Sequence, residues 1–253
     1  MVRGFYAAAS GALSQQKNIN IISNNIANAT TPGFKSQAVV GMAFGEQMMA
    51  RLSSDENGGA TAIGSNTYMK VIDSDYMDIS QGSLSATGRS VDLAINGEGF
   101  FLIKDEKNTE MITRNGQFAM DKDGYLELPG VGFVMNESKN KIKLNSSVFT
   151  VDGQGNISDN KSLKEKLYIA KPTESTAFEK INDSVFISSK GFGLADGKQT
   201  AVVQGAIEKS NVDMAQEMSR IIAGQSNFQS CSQIIKIYDR INEITANQIG
   251  RIG

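Results

Sequence analysis

The sequence predicts an α+β protein in which long, coiled-coil-type helices at both ends flank a β-rich central domain. Three observations carry that reading. Apolar residues recur every seven positions near both ends, the middle alternates with period two between glycine turns, and no proline follows Pro172. The expected division is a core helix and asparagine-rich elbow over 1–35 and an extended linker or loop over 36–81. A β-rich outer domain over 82–207 follows, then a second core helix over 208–253 that pairs with the first.

In the first helix Phe5, Ala12, Ile19 and Ile26 fall seven apart, with Ala8 and Ile22 at the complementary positions. The polar Gln15 interrupts this seam. A span of about 22 residues makes a helix of roughly 33 Å. Many seam residues are small, so a partner helix can come close.

The exit from that helix, NNIANATTPGFK, is unusual. Helices commonly stop at a single Gly or Asn. Here Asn24, Asn25 and Asn28 precede Pro32, Gly33 and Phe34. Amide side chains are expected to bond free carbonyls at the helix end, and Pro32 forbids continuation. The stretch reads as a fixed elbow. After it, Arg51 to Gly64 is rich in Ser, Asn and Gly and reads as a loop.

Val91 to Ile95 alternates, and Gly97 and Gly99 bracket a turn before Phe100 to Ile103. Met111 to Leu128 holds short pieces cut by Asn115-Gly116 and Asp123-Gly124, and Val148 to Ile157 repeats the device with Asp152-Gly153. Short strands punctuated this way predict an antiparallel sheet folded on itself.

The last helix opens at Ser210-Asn211-Val212-Asp213, which reads as a capping box with Ser210 as the cap. Met214, Ile221, Phe228 and Ile235 then fall seven apart, before the seam shifts by one to Ile234, Ile237, Ile241 and Ile244. About 35 residues without proline make a helix on the order of 50 Å. Its own short core cannot cover it, so it must pair.

Composition excludes several functions. With 25 basic and 27 acidic residues, neither nucleic acid nor an acidic membrane is expected as the main partner. The chain has no His, and Cys231 stands alone, which rules out an internal disulfide and any cysteine zinc site. GFGLADGK is misspaced for a phosphate loop, with Phe192 where glycine is needed and Gln199 where a hydroxyl is needed. It reads as a hairpin loop. NGEGFF has Leu102 in place of the third glycine of a dinucleotide site. DKDGYLEL would need Ala119 and Gly130 as calcium ligands. No catalytic, cofactor-binding or metal-ligating residue is predicted, no cofactor is expected, and the chain is not expected to be an enzyme.

No apolar run reaches the roughly 20 residues of a membrane span. The opening MVRGFYAAASGAL is broken by Ser10, Gly11 and the polar Ser14 to Asn18, so no cleaved signal peptide is expected. From residues alone, a soluble β-rich enzyme or binding module with two flanking helices stays open. A concave pocket with convergent polar groups would mark it.

Four motifs in order resemble the bacterial flagellar axial proteins, the rod and hook family. These are MVRGFYAAASGALSQQ with the elbow, SVDLAINGEGFFLI, TRNGQFAMDKDGYLEL, and QGAIEKSNVDMAQEMSRIIAGQSNFQSCSQII. The length is similar to that of a basal-body rod protein, and a hook-type or scaffold subunit is the alternative. The family usually has Tyr or Leu beside a basic or aromatic residue at Ser226 to Gln229, and Cys231 lies outside its pattern.

The resemblance implies a structural subunit whose terminal helices pack with those of other copies into a helical tube, β domains outward. The assembly interface would be Phe5, Ala12, Ile19, Ile22 and Ile26 with Met214, Ile221, Phe228, Ile235, Ile241 and Ile244. The elbow would join the tube's core to the outer domain. Expected partners are copies of the chain, other rod and hook subunits, and the flagellar type III export apparatus. The expected location is the basal body, outside the cytoplasmic membrane, where the rod transmits torque to the hook.

Overall fold

Alanines at 7, 8, 9 and 12 favour helix, and residues Val2–Ala27 form α1. Gly4 and Gly11 oppose it, each costing about 1 kcal/mol relative to Ala. Their reason is packing on the last helix, α2, Met214–Ile249. A Cβ at Gly4 would lie 2.0 Å from Tyr238 Oη, and one at Gly11 would lie 3.3 Å from Cys231 Sγ. A Cβ at Gly224 would lie 3.2 Å from Ile19 Cγ1. Contacts run up α1 as they run down α2, so the pair is antiparallel.

The computed structural model describes residues 2–52, 60–144, 146, 149–159, 163–172, 178–188, 192–194 and 200–249. These fall into two compact units. One comprises Met1–Ile26, Gln37–Met77 and Met214–Gly253, and the other comprises Ala27–Ser36 and Asp78–Asp213. The elbow therefore belongs with the β body, not with the first helix as the 1–35 division has it.

Beside the helices the first unit holds an antiparallel ribbon of β1, Gln37–Leu52, and β2, Ala60–Met77. Strand thus replaces most of the extended loop expected over 36–81. Among the Gly, Ser and Asn residues that read as loop in Arg51 to Gly64, Gly64 is carried inside β2. Of the loop expected at Arg51 to Gly64, residues 53–59 lie outside those described.

The body opens with β3, Leu84–Ala86, and β4, Leu93–Gly97. Positive φ at Gly97 and Gly99 (110° and 126°) lets the chain turn a corner into β5, Phe100–Lys104. Then come β6, Glu110–Thr113; β7, Ala119–Met120; β8, Leu126–Leu128; and β9, Gly132–Val134. A three-stranded sheet holds β10, Phe149–Val151; β11, Asn156–Asp159; and β12, Leu163–Lys166. The chain continues through β13, Ile169–Pro172; β14, Phe178–Asn182; β15, Val185–Ser188; and β16, Phe192–Leu194. It closes with β17, Thr200–Gln204, and β18, Ala206–Glu208.

The largest sheet runs β14-β15-β6-β5-β9-β8-β7, with β13 joining β5 and β16. All described pairs are antiparallel. The first strands of the body pair with its last: β3 with β18 and β4 with β17. Leu93, Ile95, Phe101, Ile103, Phe118 and Leu126 form the centre of the core, each fully buried. Burying each such side chain contributes about 1.5–3 kcal/mol.

Three turn expectations resolve differently. Asp123-Gly124 does turn β7 into β8, with Gly124 at φ 85°. Asn115-Gly116 is not a hairpin turn. A Cβ at Gly116 would stand 1.5 Å from the Leu93 carbonyl oxygen, so glycine there permits backbone approach. In GFGLADGK, residues 192–194 are strand β16, and the rest of the stretch lies outside the described residues.

The cap also moves. α2 starts at Met214, which puts Asp213 at the capping position. Ser210 Oγ instead accepts the Val212 amide at 3.3 Å in a local turn.

Candidate functional site

Along α1 the residues Phe5, Ala8, Ala12, Gln15, Ile19, Ile22 and Ile26 are half-buried or buried, spaced alternately three and four. Along α2 the same alternation picks out Glu217, Ile221, Gly224, Phe228, Cys231, Ile235 and Tyr238. These two rows face each other through the glycine contacts. Of the expected interface residues, Ala12 and Ile22 are buried, and Phe5, Ile19, Ile26, Ile221, Phe228 and Ile235 are half-buried. Met214, Ile241 and Ile244 are exposed. A second row on α2 is bare: Ile234 (44 %), Ile237 (58 %), Ile241 (40 %) and Ile244 (47 %).

The elbow is built from local turn chemistry. The Thr31 amide donates to the Asn28 carbonyl at 3.1 Å, and Thr31 Oγ1 donates to Asn28 Oδ1 at 3.0 Å. The Phe34 amide then donates to the Thr31 carbonyl at 3.3 Å, across Pro32 and Gly33 with Gly33 at φ 70°. Pro then Gly at these places is the type II turn. Asn28, Gly33 and Phe34 are buried, Pro32 is half-buried and Asn24 is exposed.

Asn25 spends its side-chain amide away from the carbonyls of the α1 end, unlike the expectation. In the helix–ribbon unit Asn25 clamps the start of β1: Nδ2 donates to the Gln37 carbonyl at 2.8 Å, and the Gln37 amide donates to Oδ1 at 3.0 Å. In the body, Asn28 Nδ2 donates to Asp183 Oδ1 at 3.3 Å. The asparagines tie the turn to distant strands because those strands offer carbonyls and carboxylates at fixed places.

Sequence reasoning missed the charged centre of the elbow. Lys35 Nζ lies 2.7 Å from Glu208 Oε1, and Arg114 Nη1 lies 2.9 Å from Glu208 Oε2, all three side chains being buried. Glu208 Oε1 also accepts the Gly82 amide at 2.9 Å. Lys35 donates to the Ser80 carbonyl at 2.6 Å, and Arg114 to the Gly97 carbonyl at 2.7 Å, with its guanidinium over the Phe100 ring. Burial pushes the Lys35 ammonium below the usual lysine range, against the raising effect of Glu208. Burial likewise lowers Arg114. Lys35 is the lone charge of NNIANATTPGFK, but nothing local names its partner.

Asn211 completes the arrangement. Its Oδ1 accepts the Ser36 amide at 2.8 Å, and its Nδ2 donates to the Asp78 carbonyl at 3.0 Å. Nothing in this geometry pairs a nucleophile with a base. It holds chain segments in place.

Three family models match in chain order. "Flagella basal body rod protein" covers residues 5–35, "Flagellar hook protein FlgE/F/G D1 domain" covers 94–159, and "Flagellar basal body rod FlgEFG protein C-terminal" covers 203–249. The flagellar basal-body rod protein FlgG of Bacillus subtilis is 32% identical over 98% of this chain and 99% of its own length. The chain belongs to the flagellar basal-body rod protein family. FlgF of Caulobacter vibrioides is 26% identical over 100% of this chain and 99% of its own, and FlgG of that organism is 29% identical over 94% and 96%. The rod protein's matched segments are those that hold α1 with the elbow, the centre of the β body, and α2. No helix among its described residues is long and apolar enough to cross a membrane.

Proposed function

We propose that this structural rod subunit polymerises through its terminal helices, packed in coiled-coil fashion against those of neighbouring copies and of other axial subunits. The bare isoleucine row on α2 carries the reading. An intramolecular pair needs only the row that faces α1, and each large aliphatic side chain left in water forgoes about 1.5–3 kcal/mol. Neighbouring subunits supply the missing cover. The β body then hangs from the tube through the elbow, and torque passes between them. The chain travels unfolded through the type III export apparatus to the basal body, and the bare row of α2 is covered only on assembly. It has no catalytic role.

Ile241→Asp tests this. A charge in a row that assembly buries costs on the order of several kcal/mol when no partner compensates it. Cells carrying this variant should lose swimming, while the purified chain keeps the circular dichroism of the parent. Normal swimming would remove the row from the interface.

A further inference from the structure

We propose that Glu208 is a positioning residue, a buried latch that fixes the elbow and two other chain passages onto the β body. The chain passes between its two units at Ile26/Ala27, Ser36/Gln37, Met77/Asp78 and Asp213/Met214. Three of these lie within a few residues of the latch. Lys35 adjoins Ser36, while Ser80 and Gly82 follow Asp78 closely, and Glu208 itself precedes Asp213. One carboxylate takes the Lys35 ammonium, the Gly82 amide and the Arg114 guanidinium. The Glu208 backbone carbonyl also accepts the Gly33 amide at 2.9 Å.

Its three charged members lie far apart in sequence, 173 residues from Lys35 to Glu208 and 94 from Arg114 to Glu208. Two buried cations share one buried anion, so removing the anion leaves both without their counter-charge. The two cations are not alike. Arg114 keeps the Gly97 and Ile95 carbonyls and the Phe100 ring, all within the core sheets' corner. Among the described residues Lys35 keeps the Ser80 carbonyl, and it sits on the turn that meets the body at Glu208. Loss of Glu208 should therefore free the elbow and the 78–84 passage first, leaving β5 and β6 intact. The functional weight of the latch rests on the rod-subunit reading, because the passages it clamps would carry force between tube and body. The latch itself does not.

The test is amide hydrogen exchange on the full chain carrying Glu208→Gln. Glutamine keeps the shape but can offer oxygen to only one of the two cations. Exchange at Gly33 and Gly82 should accelerate at least about tenfold while Leu102 and Ile112 stay within about twofold of the parent, the pattern of local opening. Adding Lys35→Met, which removes the stranded cation, should restore most of the protection at Gly33. Unchanged exchange at Gly33 and Gly82 would overturn the latch. So would equal loss of protection at Leu102 and Ile112, which would make Glu208 a residue of the whole fold. Failure of Lys35→Met to rescue would do the same. No assembled rod is needed for this readout, so a failed latch stays distinct from a failed rod reading, which Ile241→Asp scores in cells.

Discussion

The β body and the helix pair use their apolar residues in opposite ways. In the body Phe101 and Phe118 meet edge to face at 5.1 Å, surrounded by fully buried Leu93, Ile95, Ile103 and Leu126. In the helix pair Gly4, Gly11 and Gly224 let the helices come close, while Ile222, Ile234, Ile237, Ile241 and Ile244 of α2 stay exposed. Sequestering apolar surface gives the body a stability of its own. The helix pair leaves several large aliphatic side chains in water, so it draws less of its stability from apolar burial than the body does.

The largest expected effect falls on the body. Phe101→Ala should cost about 3–5 kcal/mol by cavity formation and lower the urea midpoint of the sheet signal, leaving α1–α2 helicity little changed at moderate denaturant. If helicity and sheet melt together with the same shift, the two regions form one cooperative unit and the contrast fails.

A smaller effect is expected at the helix pair. Gly11→Leu places a side chain where Cys231 Sγ lies 3.3 Å from the would-be Cβ, an overpacking that costs about 1–3 kcal/mol. Helical circular dichroism should fall, and Cys231 should react faster with a thiol reagent. The sheet core should not notice. Loss of amide protection at Leu102 would show that the pair supports the body.

The smallest effect is a pH slope. The folded pKa of Lys35 is lowered below the ordinary lysine value of 10.5, chiefly by burial. Between that lowered value and 10.5 the unfolded chain binds more protons than the folded one, so stability rises with pH there. Below both values the group opposes folding throughout. Urea midpoints should climb as pH approaches 10.5, and Lys35→Met should flatten that climb. An identical climb in Lys35→Met would assign it to other groups.

Much of this contrast was legible in the sequence. Heptad spacing marked Ile221, Phe228 and Ile235, which are half-buried, and also Ile241 and Ile244, which are exposed. Spacing identifies a stripe but not which molecule covers it. The glycine contacts of α1 were invisible, because periodicity counts apolar side chains and glycine has none. The ribbon over β1 and β2 was hidden because the Ser-, Asn- and Gly-rich stretch from Arg51 to Gly64 reads as loop. The Lys35–Glu208–Arg114 cluster was unreadable for another reason: no local pattern announces a partner across 173 residues. The elbow's turn could be read from Pro32 and Gly33 because turn type follows from backbone preference alone.

The pairing of β3 with β18 and of β4 with β17 closes the body on itself at its point of attachment. An insert whose first and last strands lie in the same ladders presents its flanks with a spacing that its interior does not set. The exposed hairpin tip at Asp105 to Thr109 can lengthen, shrink or be exchanged without altering that spacing. The body behaves as a cassette, and a lineage could vary its exterior widely while keeping one shaft.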